Sequence, residues 1–77
     1  MQIKVLLFGQ LAEIIGNSEI FLEDISDSEM LTKTLHQRYP DLANSKYAMA
    51  LDNKVVSANT TLSDNSTIAL LPPFSGG

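Results

Sequence analysis

The sequence predicts an α+β roll, a mixed sheet of four to five strands packed on one main helix, and three observations carry that expectation. The one long segment with helical periodicity runs from about Ser26 to Tyr39, while the segments before and after it alternate like half-buried strands. A single helix covers only one face of a sheet. The first and last strands are both strongly apolar, and enough chain separates them for the crossover that a parallel central pair requires.

In order along the chain, Ile3, Val5 and Leu7 alternate with Gln2, Lys4 and Leu6, so the first strand turns Ile3, Val5 and Leu7 inward. Leu6 and Phe8 face the other way, toward a second layer or as a surface patch. Gly9 breaks the strand, and Gln10 to Ile15 is helix-forming material closed by Gly16. Glu19 to Leu22 is a second strand, most simply antiparallel to the first. Ser26-Asp27-Ser28-Glu29 has the spacing of a capping box, with the Ser26 hydroxyl meeting the N3 amide and Glu29 reaching back. Leu31, Leu35 and Tyr39 then share one face of the main helix. Pro40 closes it, because the residue before a proline is driven out of the α region. His36, the single histidine, has no partner at helical spacing and is expected in solvent.

After a connection over 41–45, Lys46 to Leu51 alternates as a third strand, Asp52-Asn53 is a turn pair, and Lys54 to Val56 returns. The polar run 57–66 has Leu62 as its apolar anchor and Asp64-Asn65 as a turn. Thr67 to Leu71 is the last strand. With the first and last strands parallel at the centre, this order is the ubiquitin-like β-grasp arrangement, a single domain over 1–77 with an extended tail over 72–77.

Composition narrows the chemistry. The chain has 77 residues, 44% of them apolar, which is enough for one small core. Its net charge of -4 argues against a surface that tracks phosphates, so no nucleic-acid partner is expected. No run approaches the roughly 18 apolar residues of a membrane span and no leader precedes the first strand, so no membrane partner is expected and a cytoplasmic location is. There is no cysteine, hence no disulfide, no thiolate metal site and no side chain able to hold a persulfide. No nucleophile, base and metal-ligand set can be assembled for an independent enzyme. Neither a catalytic residue, a metal nor a bound cofactor is expected on this chain.

The tail Pro72-Pro73-Phe74-Ser75-Gly76-Gly77 is where chemistry is expected. Pro72 and Pro73 lack N–H groups and fix φ, so the sheet ladder stops and the chain leaves in a stiff direction. From Phe74 onward the backbone spans on the order of 14 Å, enough to enter a pocket on another protein. Gly76 and Gly77 carry no side chain, which lets bare backbone thread a narrow channel. A terminal carboxylate is ionised at neutral pH and is a poor electrophile, so it needs activation, for which an acyl-adenylate made with ATP on a separate enzyme is the obvious route. Phe74 is a candidate anchor in a partner pocket, and Phe8 with Leu71 a candidate apolar docking patch.

The opening Ile3-Lys4-Val5-Leu6-Leu7-Phe8-Gly9-Gln10-Leu11 with Glu13 and Gly16, the Arg38-Tyr39-Pro40 helix end, and above all Leu70-Leu71-Pro72-Pro73-Phe74-Ser75-Gly76-Gly77 resemble the small, sulfur-carrier subunit of molybdopterin synthase (MoaD-type) over the whole chain. The sequence departs from that pattern only in its turns, with Asn65-Ser66 in place of Gly-Asp and Asp52-Asn53 in place of Asn-Gly. The resemblance implies that an ATP-dependent activating enzyme adenylates Gly77 and that sulfur from a persulfide donor displaces AMP to leave a thiocarboxylate. It implies further that the tail enters the large synthase subunit, in a heterotetramer whose catalytic pocket is on the large subunit, and donates sulfur there to cyclic pyranopterin monophosphate. Three alternatives use the same residues differently: a sulfur carrier for the thiazole of thiamin, a ubiquitin-like modifier joined through Gly77 to lysines, and an interaction module whose tail is incidental.

Overall fold

In the computed structural model, which describes residues 2–72, the alternation at the N-terminus becomes β1 (Gln2–Leu7), with Ile3, Val5 and Leu7 buried. It is followed by α1 (Gln10–Ile15), β2 (Glu19–Glu23), α2 (Ser28–Arg38), α3 (Pro40–Ala43), β3 (Ala48–Leu51), β4 (Lys54–Val55) and β5 (Thr67–Leu71). The strands form one mixed sheet in the order β2-β1-β5-β3-β4. β1 and β5 run parallel at its centre, with Val5 opposite Ile68 and Leu7 opposite Leu70, and the other three pairings are antiparallel. The α+β β-grasp expectation holds, with five strands among the described residues.

One face of the sheet is the core face. Ile3, Val5, Leu7, Leu22, Met49, Ile68 and Leu70 pack there against Leu11 and Ile15 of α1, Leu31 and Leu35 of α2, and Leu42 of α3. Leu62 anchors the irregular stretch before β5 in the same cluster, as its isolation among polar residues suggests. Asp52 and Asn53 both have positive φ (47° and 74°), the signature of the type I′ hairpin turn that short polar residues tolerate. The Asp64-Asn65 turn ties down the start of β1: Gln2 donates its N–H to the Asp64 carboxylate (2.7 Å), and the Asn65 N–H donates to the Gln2 carbonyl (2.7 Å).

Four local expectations are corrected. The cap of α2 is Asp27, whose carboxylate accepts from the Met30 N–H at 2.8 Å, and not Ser26, whose hydroxyl lies 3.6 Å from the Met30 sulfur. The reason is tertiary. Leu62 N–H donates to the Ser26 carbonyl, Ser28 N–H donates to the Thr60 carbonyl, and Asp27 bridges Thr61, so the backbone stays extended until Ser28. Glu29 does not reach back to a cap; its own N–H donates to Asn59 Oδ1 at 2.9 Å. Asp27→Ala is therefore expected to cost about 1 kcal/mol of stability and Ser26→Ala only a few tenths, as read from urea melts.

Second, Pro40 ends α2 as expected, but the connection expected over 41–45 is partly helical, because Pro40 also opens α3, where a proline at the first helical position loses no hydrogen bond. Third, His36 is half-buried and meets the Tyr47 hydroxyl at 2.8 Å, with the rings edge to face. Burial pushes the Tyr47 hydroxyl pKa up, and a hydrogen bond with Thr32 opposes that shift. β3 also starts at Ala48 and not at Lys46. Ala48 pairs with Leu71, so Tyr47 would have to pair with Pro72, which has no N–H to give.

Candidate functional site

The site is built at the end of the two central strands. β5 carries the chain toward its terminus from the middle of the sheet, and its last paired residue is Leu71. Beside it, Phe8 follows the end of β1 and donates its N–H to the Leu70 carbonyl at 3.3 Å, extending the parallel pairing by one bond. Leu7 and Leu70 point into the core, so by alternation Phe8 and Leu71 emerge on the opposite face. Phe8 is 46% exposed and Leu71 is half-buried. The two candidate docking residues are thus brought together at one corner, where the chain departs.

That corner continues an apolar stripe. In the registers of the sheet, Leu6 stands beside Ala69, Ala69 beside Ala50, and Ala50 beside Val55, while Leu71 stands beside Ala48. Val55 is 71% exposed, and Leu6, Ala48, Ala69 and Leu71 are half-buried. The helices occupy the other face, so of the two readings for Leu6 and Phe8 the structure supports the surface patch. Sequence reasoning missed the width of this stripe, although alternation on β3 and β5 held the signal. Charge lies farther along the same face, where Lys4 pairs with Glu19 (3.8 Å) and sits 5.9 Å above the Phe21 ring.

Pro72 is the last described residue, half-buried, with its ring over Gly9. Pro73, Phe74, Ser75, Gly76 and Gly77 lie outside the described residues. Among the described residues, no three His, Asp or Glu side chains come together to hold a metal ion, and no helix is long and apolar enough to cross a membrane. A groove of about 450 Å³ lies between α2 and the β3-β4 edge. Several of its polar groups are already engaged: Ser28 with Asn59 and Thr60, Thr32 with the Ser28 carbonyl, and Tyr47 with His36. It offers walls and no reactive set. What the described surface offers beside the departing chain is an apolar corner formed by exposed Phe8 and half-buried Leu71.

Comparison with known proteins accords with this geometry. The ThiS family model matches residues 5–77, so the match extends through the last residue of the tail. The molybdopterin synthase sulfur carrier subunit of Dictyostelium discoideum is 34% identical, the alignment covering 99% of this chain and 96% of that protein. The protein of the same name from Caenorhabditis elegans is also 34% identical, with 100% and 99% covered. Among solved structures, the putative molybdopterin converting factor subunit 1 of Pyrococcus furiosus superposes with a TM-score of 0.87 at 17% identity, covering 96% of this chain and 99% of that one, a likeness of fold. Subunit 1 in a complex with subunit 2 of the molybdopterin-converting factor of Helicobacter pylori gives 0.75 at 29% identity, with both chains fully covered. The chain therefore belongs to the ThiS family and, within it, groups with the molybdopterin synthase sulfur carrier subunits.

Proposed function

We propose that this protein carries sulfur on its C-terminus for molybdopterin synthesis. The observation that carries the reading is the corner at which the described chain leaves the sheet. The chain leaves the central strand at Pro72 beside exposed Phe8, with five residues, Pro73 to Gly77, still to follow. A partner docked on that corner would sit beside the start of the tail.

In this reading Gly77 is the covalent carrier. A separate ATP-dependent enzyme in the cytoplasm converts its carboxylate to an acyl-adenylate. The outer sulfur of a persulfide donor attacks it, expelling AMP and leaving an acyl disulfide, and a second thiol cleaves that S–S bond, forming a disulfide with the donor sulfur and releasing the thiocarboxylate. This chain binds no cofactor, and ATP is consumed by the activating enzyme. The tail, Gly76 included, then enters the large subunit of molybdopterin synthase, where cyclic pyranopterin monophosphate takes the sulfur in a pocket belonging to that subunit. The Helicobacter pylori complex of subunits 1 and 2 supports a partner of this kind. Pro72 and Pro73 reduce the number of conformations lost on insertion, and Phe74 supplies an aromatic anchor.

The test is reconstitution. The thiocarboxylated chain, mixed with a large subunit and cyclic pyranopterin monophosphate, is expected to yield molybdopterin, and the carboxylate form is not. Equal product from both forms would overturn the reading. Phe8→Ser is expected to weaken binding to the large subunit about tenfold or more without lowering the melting temperature, because the ring it removes is an exposed candidate anchor. Isothermal titration and a thermal melt on the same sample check both halves. The small archaeal modifier protein 1 of Methanosarcina acetivorans, 25% identical with a TM-score of 0.84 and 99% of this chain covered, favours a second reading as a protein modifier. Isopeptide adducts of Gly77 on lysines in cell extract, with no molybdopterin formed, would select it.

A further inference from the structure

We propose that Gly9 is a positioning residue for the tail: the space it leaves for the Pro72 ring sets the direction in which the chain departs from β5. The proposal rests on the sulfur-carrier reading and assigns a task to a residue outside the tail. A Cβ built on Gly9 would stand 3.2 Å from Pro72 Cγ, 3.9 Å from Cδ and 4.0 Å from Cβ, so the ring lies directly over the glycine. A methyl there can be accommodated only if Pro72 gives way.

Gly9 is itself held from two sides. Its neighbour Phe8 is bonded to the Leu70 carbonyl on β5 (3.3 Å). Its own carbonyl accepts the Ala12 N–H of α1 (3.1 Å), and the Phe8 carbonyl accepts the Leu11 N–H (3.2 Å). The floor beneath Pro72 is thus tied to both the central strand pair and the first helix, while the proline ring above it has few torsions of its own. A ring seated on an anchored floor fixes where Pro73 starts. The tail begins at this ring, so a shift of Pro72 moves the point from which the remaining five residues reach a partner.

Gly16 supplies the contrast. It also has positive φ (87°) and caps α1, but nothing lies within 4 Å of a Cβ built on it, so only its backbone calls for glycine. Gly9, at φ 56° and ψ -136°, has both a backbone reason and a neighbour. The experiment has to separate the two.

The experiment is a double-mutant cycle on the full-length chain, with Gly9→Ala, Pro72→Ala and the pair, read as the rate of thiocarboxylate formation with an activating enzyme, ATP, a persulfide donor and a thiol reductant. Gly9→Ala is expected to lower turnover about tenfold with KM unchanged, since the docking corner stays in place while the terminus is misaimed. In the Pro72→Ala background the same change is expected to cost less than about threefold, because the ring it would displace is gone. Backbone strain at Gly9 is the same in both backgrounds, so equal losses would overturn the proposal, as would a Gly9→Ala chain as fast as the parent. If Gly9→Ala does not fold, cross-relaxation between the Gly9 α-protons and the Pro72 ring protons in the unaltered chain decides, and its absence overturns the contact. An unaltered chain that takes up no sulfur removes the carrier reading itself, and shows this before any variant is compared.

Discussion

A chain ending at Ser75 is expected to melt like the full-length protein and to accept no sulfur at all. Among the described residues the core is closed by Leu70, Ile68 and their neighbours, all upstream of Pro72, and Gly76 and Gly77 have no side chain to bury. Without them, the terminal carboxylate would belong to Ser75, two residues short and next to a side chain that a narrow channel has to clear. Loss of loading with an unchanged melt separates chemistry at the terminus from stability of the fold. A truncated chain that still loads would show that the carrier atom is elsewhere, and one that melts early would show that the tail is part of the core.

The largest effect on stability is expected at the base of the same strand. Leu70 is fully buried on β5, between β1 and β3, and Leu70→Ala is expected to cost about 2–5 kcal/mol. At roughly 0.05–0.15 kcal/mol per residue, a domain of this size has only about 4–12 kcal/mol in total. The variant should therefore be partly or wholly unfolded near body temperature, and the tail loses its platform with it. Val55→Ala, at 71% exposure on the edge strand, is the control and should change stability by no more than about 0.5 kcal/mol. Circular dichroism in urea compares the two. Similar midpoints would show that the central strand pair does not carry the core.

The sheet was legible because its signals are local and periodic. Ile3, Val5 and Leu7 alternate within one strand, Asp52 and Asn53 suit the positive φ they adopt, and Leu62 is the single apolar anchor in its loop. The parallel pairing of β1 with β5 followed from their shared apolar character and the length of chain between them. What escaped the sequence depends on contacts between distant segments. The α2 cap moved to Asp27 because Thr60 to Leu62 hold Ser26 extended, His36 found Tyr47 across the fold, and β3 was shortened by the missing N–H of Pro72. The site divides the same way. Phe8 and Leu71 could be named as a patch from alternation, whereas the seat of Pro72 on Gly9 joins opposite ends of the chain and leaves no local trace.

The measurement that tests the carrier claim most directly is the intact mass of the full-length chain after incubation with a candidate activating enzyme, ATP, a persulfide donor and a thiol reductant. A gain equal to the replacement of one oxygen by sulfur, located on Gly77 by fragmentation and dependent on ATP, is the expected result. An unchanged mass with activating enzymes that load a known carrier in parallel would contradict it, and the corner formed by Phe8 and Leu71 would then stand as a binding surface with no cargo.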